Sequence, residues 1–174
     1  MTTRTILDLQ SAQCFYPHPD PVHGFEHIQR VYRLCQVIGI AEGADMDILL
    51  SAALLHDCDG SDPTTQNRGE HHLLSAEKAA LVLREMGWQA QDIQRVQHCI
   101  RTHRFRKTEE PYTIEAKSLF DADKLDVIGA IGIARTIGYA VQAGEPIYFK
   151  PSEQFLASGK LAEGEHHSVY HEYL

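Results

Sequence analysis

Apolar residues recur at intervals of three and four along most of this chain, and this spacing lines one face of an α-helix. Val31, Leu34 and Ile38 follow it, and Asp45 is the predicted N-cap of the next helix. The predicted helices cover approximately residues 25–39, 45–57, 70–86, 89–105, 114–125 and 126–143. No stretch shows the alternation that predicts a strand, and no segment is repeated. The sequence therefore predicts an all-α fold, a bundle of about six or more helices.

Length and composition restrict the class of protein further. A chain of 174 residues with 43% hydrophobic and 23% charged residues is typical of one globular domain, which we expect to span residues 1–174. A net charge of −8 disfavours binding to nucleic acid polymers, and no apolar run is long enough to cross a bilayer. The four cysteines form no Cys-x-x-Cys pair and no apolar leader is present, so a cytoplasmic protein is expected. Residues 144–164 read as a loop, and the last ten residues as the start of a helix.

Four polar residues occupy positions where these helices should be apolar. His27, His56 and Asp123 lie on the apolar faces of three different helices, and Asp57 follows His56 at a helix end. A single histidine on such a face is usually a hydrogen-bonded core residue. Several imidazoles and carboxylates buried together are costly unless a cation joins them, which predicts a divalent metal ion. Successive helical residues project about 100° apart, so His56 and Asp57 can reach one ion only near a helix terminus.

At these positions the chain resembles a known family, the HD-domain metal-dependent phosphohydrolases. Its motif is a histidine, then a His-Asp dyad on the next helix, then a distant aspartate. The matching text is His-Gly-Phe-Glu-His27, then Ala-Ala-Leu-Leu-His56-Asp57, then Phe-Asp-Ala-Asp123-Lys-Leu-Asp126. The text around Asp123 is similar to small stand-alone bacterial and archaeal members. The resemblance covers about residues 20–140 and implies an HD-domain helical bundle.

The resemblance implies a function and a cofactor. His27, His56, Asp57 and Asp123 would bind one divalent metal ion: Mn²⁺, Mg²⁺, Co²⁺, Ni²⁺ or Fe²⁺. The expected activity is hydrolysis of a phosphate ester or anhydride in a small phosphorylated substrate. The small members point to a nucleotide, including release of pyrophosphate from a nucleoside triphosphate. Two alternatives stay open: a di-iron oxygenase of HD type, and a non-catalytic module that senses nucleotides.

Further residues are candidates for roles around this ion. We expect Lys124, His103 and Asp126 to take part in catalysis, the first two by offsetting phosphate charge and Asp126 as a general base. Arg68 and His72 are candidates for substrate binding. His72 and His103 could instead bind a second metal ion. Other histidines are given lesser roles: His71 and His98 fall off the apolar faces and are predicted at the surface, and His23 is a candidate for orienting a ligand.

Overall fold

The computed structural model describes residues 5–17, 24–59, 70–104 and 109–174. The chain divides into two compact units, Met1–Asp126 and Val127–Leu174. Throughout the described ranges there is no strand, which confirms the predicted all-α fold. The prediction of one domain over 1–174 stays a prediction. No helix among these residues combines the length and hydropathy required to span a bilayer.

The described residues of the first unit form six α-helices. They are α1 (Leu9–Ala12), α2 (Phe25–Glu42), α3 (Met46–Leu55), α4 (His71–Glu85), α5 (Ala90–Thr102) and α6 (Ile114–Leu125), and a 3-10 turn, Gln13–Phe15, follows α1. Side chains cap three of these helix starts. Asp8 accepts from the backbone N–H of Ser11, Asp45 accepts from that of Ile48, as predicted, and Thr113 accepts from that of Ala116. Gly43, with φ +71°, ends α2 in the left-handed conformation that glycine adopts without strain.

Helix α3 lies at the centre of this unit. Nearly every residue from Ile48 to Leu55 is buried, as expected for a helix that other helices surround. Helix α2 packs against α3 and α6, and α4 packs against α5, which also contacts α3 and α6. The end of α3 is therefore enclosed, and the residues that follow it, His56 and Asp57, leave the helix inside the bundle.

The second unit contains α7 (Gly129–Ala143), α8 (Glu153–Ser158) and a 3-10 helix, Val169–Tyr173. Helix α8 was wrongly predicted as loop, because a helix of six residues is too short for apolar periodicity to reveal. The buried carboxylate of Glu165 organises this unit. It accepts from the backbone N–H and hydroxyl of Ser152, the N-cap of α8, and contacts His171 Nε2 at 3.2 Å. These contacts join the start of α8 to the final 3-10 helix.

Candidate metal centre

The four residues predicted to bind metal come together, although they are far apart in sequence. His27 lies in the first turn of α2, His56 is the C-cap of α3, Asp57 follows it, and Asp123 lies in the last turn of α6. His27 Nε2 lies 3.3 Å from His56 Nε2, and also 3.3 Å from Asp123 Oδ1. Asp57 Oδ2 lies 3.8 Å from His27 Nε2 and 3.7 Å from His56 Nε2. The bundle therefore brings two imidazoles and two carboxylates together.

Hydrogen bonds at the far side of each ring fix the tautomers of the two histidines. His27 Nδ1 is 2.7 Å from Asp126 Oδ2, and His56 Nδ1 is 2.9 Å from the carbonyl oxygen of Ala53. Carboxylate and carbonyl oxygens accept hydrogen bonds, so both Nδ1 atoms carry the proton. In the neutral rings, both Nε2 atoms therefore present lone pairs, and these face each other across 3.3 Å. Two facing lone pairs beside carboxylates need a cation between them.

The distances fit a divalent ion. Atoms that bind one ion at roughly 2.0–2.2 Å lie roughly 3–3.5 Å from their neighbours around it. The spacing between the two Nε2 atoms, and those from each of them to the carboxylates of Asp57 and Asp123, range from 3.3 to 3.9 Å and are close to that range. Nitrogen and carboxylate oxygen together suit the borderline and hard divalent metals. His27, His56, Asp57 and Asp123 could therefore hold one divalent metal ion.

Three helix C-termini contribute a further negative potential. His56 and His103 are the C-caps of α3 and α5, and their ring centroids are 5.1 Å apart. Asp123 lies in the last turn of α6, with Oδ1 3.9 Å from His56 Nε2. Each helix C-terminus carries about half a negative charge, which favours a cation nearby. The arrangement of the helices thus favours the same ligand as the side chains do.

The ionisation of the buried groups matches this environment. Burial lowers the pKa of His56, and it lowers the pKa of His103 to about 3, so both rings are neutral near pH 7. Burial alone would raise the pKa of Asp57 and of Asp123. Interaction with His56 holds the pKa of Asp57 well below its usual range, and Lys124 does the same for Asp123. The site therefore presents neutral imidazoles and ionised carboxylates, the forms that bind metals.

A second cluster shares the carboxylate of Asp57. Its Oδ1 atom is buried and lies 3.2 Å from His71 Nε2 and 3.6 Å from His103 Nε2. Within the part of the chain that the structure describes, no hydrogen bond of normal geometry reaches this oxygen. His103 Nδ1 donates to the carbonyl oxygen of Ile100, so its Nε2 also presents a lone pair towards the cluster. These three residues could hold a second cation.

The prediction that His71 and His98 lie at the surface is wrong. His71 is buried at the start of α4, and His98 is buried on α5 against Glu109 and Tyr112. The sequence predicts too narrow an apolar face for α4, because the first turns of this helix also pack against the segment that ends α3. A polar residue one position from a predicted face deserves the same weight as one on it.

Arg104, which the sequence did not single out, contacts His71. Its guanidinium lies 3.2 Å from His71 Nδ1. Arginine only donates, so Nδ1 must accept, and the proton of a neutral His71 then resides on Nε2, which faces Asp57. In this arrangement His71 donates towards Asp57 and offers it no lone pair for a metal. The arginine follows His103 directly and thus lies at the edge of the centre.

The other predicted residues lie around the centre in different ways. Both carboxylate oxygens of Asp126 are engaged, by His27 Nδ1 and by Arg30 at 2.6 and 3.0 Å. Lys124 Nζ lies 2.8 Å from Asp123 Oδ2 and is partly exposed. His72 is buried with its ring 6.0 Å from that of His71, and belongs to neither cluster among the described residues. Arg68 and His23 lie outside the described residues.

Cys58 follows the dyad directly but is turned away from it. Its Sγ lies 3.8 Å from the carbonyl oxygen of Ser75 on α4. Burial raises the pKa of this thiol to about 12, so it stays protonated. A protonated thiol is a poor metal ligand, and Cys58 is a packing residue.

Known proteins are similar to this chain in sequence and in fold. A family model described as HD domain matches residues 24–128. The uncharacterized protein YpgQ of Bacillus subtilis is 37% identical over 131 residues, which are 72% of this chain and 61% of YpgQ, so the match spans less than two thirds of that relative. The crystal structure of YpgQ in complex with ADP superposes with a TM-score of 0.62 at 30% identity, and covers 87% of this chain and 79% of YpgQ.

Two further solved structures are similar. A predicted HD superfamily hydrolase from an uncultured Thermotogales bacterium has a TM-score of 0.62 at 34% identity, covering 75% of this chain and 72% of the other. A protein of Lactobacillus plantarum has a TM-score of 0.68 at 26% identity, covering 95% and 75%. The matched range, 24–128, contains every residue of the two clusters. The chain therefore belongs to the HD-domain family, a family that includes proteins named as hydrolases.

Proposed function

We propose that this protein is a metal-dependent phosphohydrolase that acts on a nucleotide. The observation that carries the proposal is the meeting of the His27 and His56 lone pairs with the carboxylates of Asp57 and Asp123 at 3.3–3.9 Å. These four residues would hold one divalent ion, with Mn²⁺, Mg²⁺, Co²⁺, Ni²⁺ and Fe²⁺ as candidates. When bound, such an ion lowers the pKa of a coordinated water and polarises a phosphoryl oxygen.

The residues around the four ligands have separate tasks in this proposal. Asp126, itself held by Arg30, fixes the ring of His27 with its lone pair towards the centre. Because both of its oxygens are engaged, we propose Asp126 as a positioning residue rather than as the general base expected from the sequence. Lys124, paired with Asp123 and partly exposed, and Arg104, at the opposite edge beside His71, are the cations placed to offset phosphate charge.

For His103 we propose a different task from the one that the sequence suggests. Its ring is buried and neutral, with the Nε2 lone pair 3.6 Å from Asp57 Oδ1. A neutral ring cannot offset phosphate charge. We assign it as an acceptor for a proton or for a second cation. His72 and Arg68 keep their predicted roles in substrate binding as proposals.

The nucleotide is proposed on two grounds. YpgQ, at 37% identity over 131 residues, has been crystallised in complex with ADP. The two cations, Lys124 and Arg104, flank a centre otherwise rich in carboxylates, an arrangement that suits a substrate with several phosphate groups. We therefore expect nucleoside di- or triphosphates to be better substrates than simple phosphate monoesters.

The test is an activity screen on protein stripped of metal and reloaded with Mn²⁺. Nucleoside mono-, di- and triphosphates and p-nitrophenyl phosphate are compared, with phosphate and pyrophosphate measured separately. We expect turnover of a nucleotide that is lost in His56→Ala and retained in His166→Ala, an exposed histidine in the second unit. Nucleotide-dependent thermal stabilisation without turnover would instead support the sensing module. Turnover that survives His56→Ala would refute the proposed centre.

A second candidate function follows from the position of the Asp57 carboxylate. Its Oδ2 atom faces His27 and His56, and its Oδ1 atom faces His71 and His103. Asp57 lies between two histidine pairs and could contribute to two metal sites, as a di-iron oxygenase would require. The contact of Arg104 with His71 Nδ1 opposes this reading, since it leaves a proton on the nitrogen that a second ion needs. One metal ion per chain and no oxygen consumption would exclude the oxygenase.

A further inference from the structure

We propose that Ser75 and Lys78 of α4 are positioning residues that hold the His56-Asp57 dyad in place. The inference rests on the proposed metal centre and concerns what fixes its geometry. Neither residue contacts the centre itself. Both instead bind the backbone of the turn that carries the dyad out of α3.

The dyad needs such support because it lies beyond the regular part of its helix. Helix α3 ends at Leu55, and the last carbonyls of a helix lack partners within it. Side chains satisfy two of these carbonyl oxygens. His56 Nδ1 donates to that of Ala53, and the Tyr16 hydroxyl donates to that of Leu54 at 2.9 Å. The N–H of Cys58 closes a turn on the carbonyl oxygen of Leu55. Among the residues described on either side of the gap at 60–69, no backbone turn of this kind extends past Cys58.

Beyond this point, side chains of helix α4 hold the backbone. The hydroxyl of Ser75, a fully buried residue, accepts from the backbone N–H of Asp59 at 3.1 Å and lies 3.0 Å from the carbonyl oxygen of the same residue. Lys78 Nζ donates to the carbonyl oxygen of Cys58 at 2.8 Å. The residues on the C-terminal side of Asp57 are thus fixed by three contacts, all from one helix.

These contacts come from one face of α4, which also reaches the dyad directly. His71, Ser75 and Lys78 are spaced by four and three residues and so lie on one side of the helix. His71 contacts the Asp57 carboxylate at 3.2 Å, while Ser75 and Lys78 bind the backbone of the next two residues. Side chain and backbone of the same short turn are therefore held by the same helix, and the orientation of the carboxylate depends on it.

The charge of Lys78 also affects the electrostatic potential at the C-terminus of α3. Asp57 places a carboxylate at the C-terminus of α3, where the helix dipole already contributes negative potential. The ammonium group of Lys78, donating to the carbonyl oxygen of Cys58, offsets part of that potential just outside the centre. It does so without occupying the space where an ion would bind.

The experiment measures Mn²⁺ affinity by calorimetry on metal-stripped protein, with the metal-free melting temperature recorded for each variant. Ser75→Ala and Lys78→Met remove the two contacts, and Lys78→Arg keeps a cationic donor. Ser51→Ala is the matched control, a buried hydroxyl on α3 that makes no hydrogen bond among the described residues. We expect Ser75→Ala and Lys78→Met to weaken Mn²⁺ binding about 10- to 100-fold, the usual cost of losing an outer partner of a metal site. Lys78→Arg should recover most of the affinity, and Ser51→Ala should bind like the wild type.

Each outcome decides the matter. If both variants bind Mn²⁺ within twofold of the wild type, with or without a lower melting temperature, the two residues only stabilise the fold and the inference is wrong. If Lys78→Arg binds as weakly as Lys78→Met, the donor role of Lys78 is wrong. If the wild type itself binds no divalent metal, the proposed centre fails, and that result is distinct from a failure of the positioning role.

Discussion

Replacement of Asp126 by asparagine separates a positioning role from a role as general base. Its Oδ2 atom accepts from His27 Nδ1 at 2.7 Å, and its two oxygens accept from Arg30 at 2.6 and 3.0 Å. Asparagine keeps the shape and one acceptor. It loses the charge, and its NH₂ group must face either the N–H of His27 or the guanidinium, both of which only donate.

The cost can be worked out from these contacts. An outer partner of a metal-binding histidine contributes about 10- to 100-fold to metal affinity, which corresponds to about 1.4–2.7 kcal/mol. Removing one member of a fully buried ion pair costs about 3–5 kcal/mol. The Arg30 side chain is 32% exposed, so water can solvate it after the change, and we reduce the loss of stability to roughly 1–2 kcal/mol. For a chain of this size that is a fall in Tm of roughly 2–8 °C.

Two measurements on Asp126→Asn test this reasoning, with Asp121→Asn, an exposed aspartate on the same helix, as the control. Calorimetry gives the Mn²⁺ affinity and circular dichroism gives the metal-free Tm. We expect both to fall in Asp126→Asn and neither to change in the control. Arg30→Met should lower Mn²⁺ affinity in the same direction, because it releases Asp126.

One result would refute the positioning role. If Asp126→Asn keeps the Mn²⁺ affinity and the Tm of the wild type but loses most of its turnover, and the residual activity lacks the acidic limb of the pH–rate profile, Asp126 is a general base as the sequence suggested. A loss of affinity with a retained pH–rate profile supports the positioning role.

Three further outcomes are expected. Mn²⁺ at 100 times its dissociation constant should stabilise the metal-free protein by about 2.7 kcal/mol, raising Tm by roughly 5–10 °C, and should have no such effect on His56→Ala. Arg104→Met should raise the Mn²⁺ content measured by elemental analysis from one towards two per chain, because His71 Nε2 can then present a lone pair; an unchanged content would contradict this. Burial would raise the pKa of Glu165, but its hydrogen-bond partners hold this pKa at about 2. The ionised carboxylate therefore stabilises the second unit fully above about pH 4.5, and this stabilisation is lost as the pH falls towards 2. Hydrogen exchange should therefore show α8 less protected in Glu165→Gln than in the wild type at pH 7, with the difference vanishing near pH 2, and equal protection at pH 7 would contradict this role.

Most of the fold of the first unit could be predicted from the sequence. The apolar spacing that defines α2 to α6 is strong because each of these helices buries one face or more in a common core. The second unit was harder. Helix α7 begins at Gly129 rather than Asp126, because Asp126 is already the C-cap of α6. Helix α8 depends on Ser152 and its bond to Glu165, a contact between residues 13 apart that no local pattern contains.

The candidate site divides in the same way. His27, His56, Asp57 and Asp123 were identifiable because polar residues on apolar faces conflict with the pattern around them. His71, Arg104, Ser75 and Lys78 were not, since each is ordinary for its own helix or loop. These residues matter because α4 and the end of α5 pack beside Asp57. Only the packing of the helices creates that neighbourhood.

The ends of α3, α5 and α6 impose an order on how the site is filled. Three partial negative charges and the ionised carboxylates of Asp57 and Asp123 repel any polyanion from the bare protein. If the proposed centre binds a cation, the charge of that cation would offset this negative potential, so we expect a phosphate group to bind together with the metal ion or after it. The ends of three helices would thus make substrate affinity depend on the metal ion.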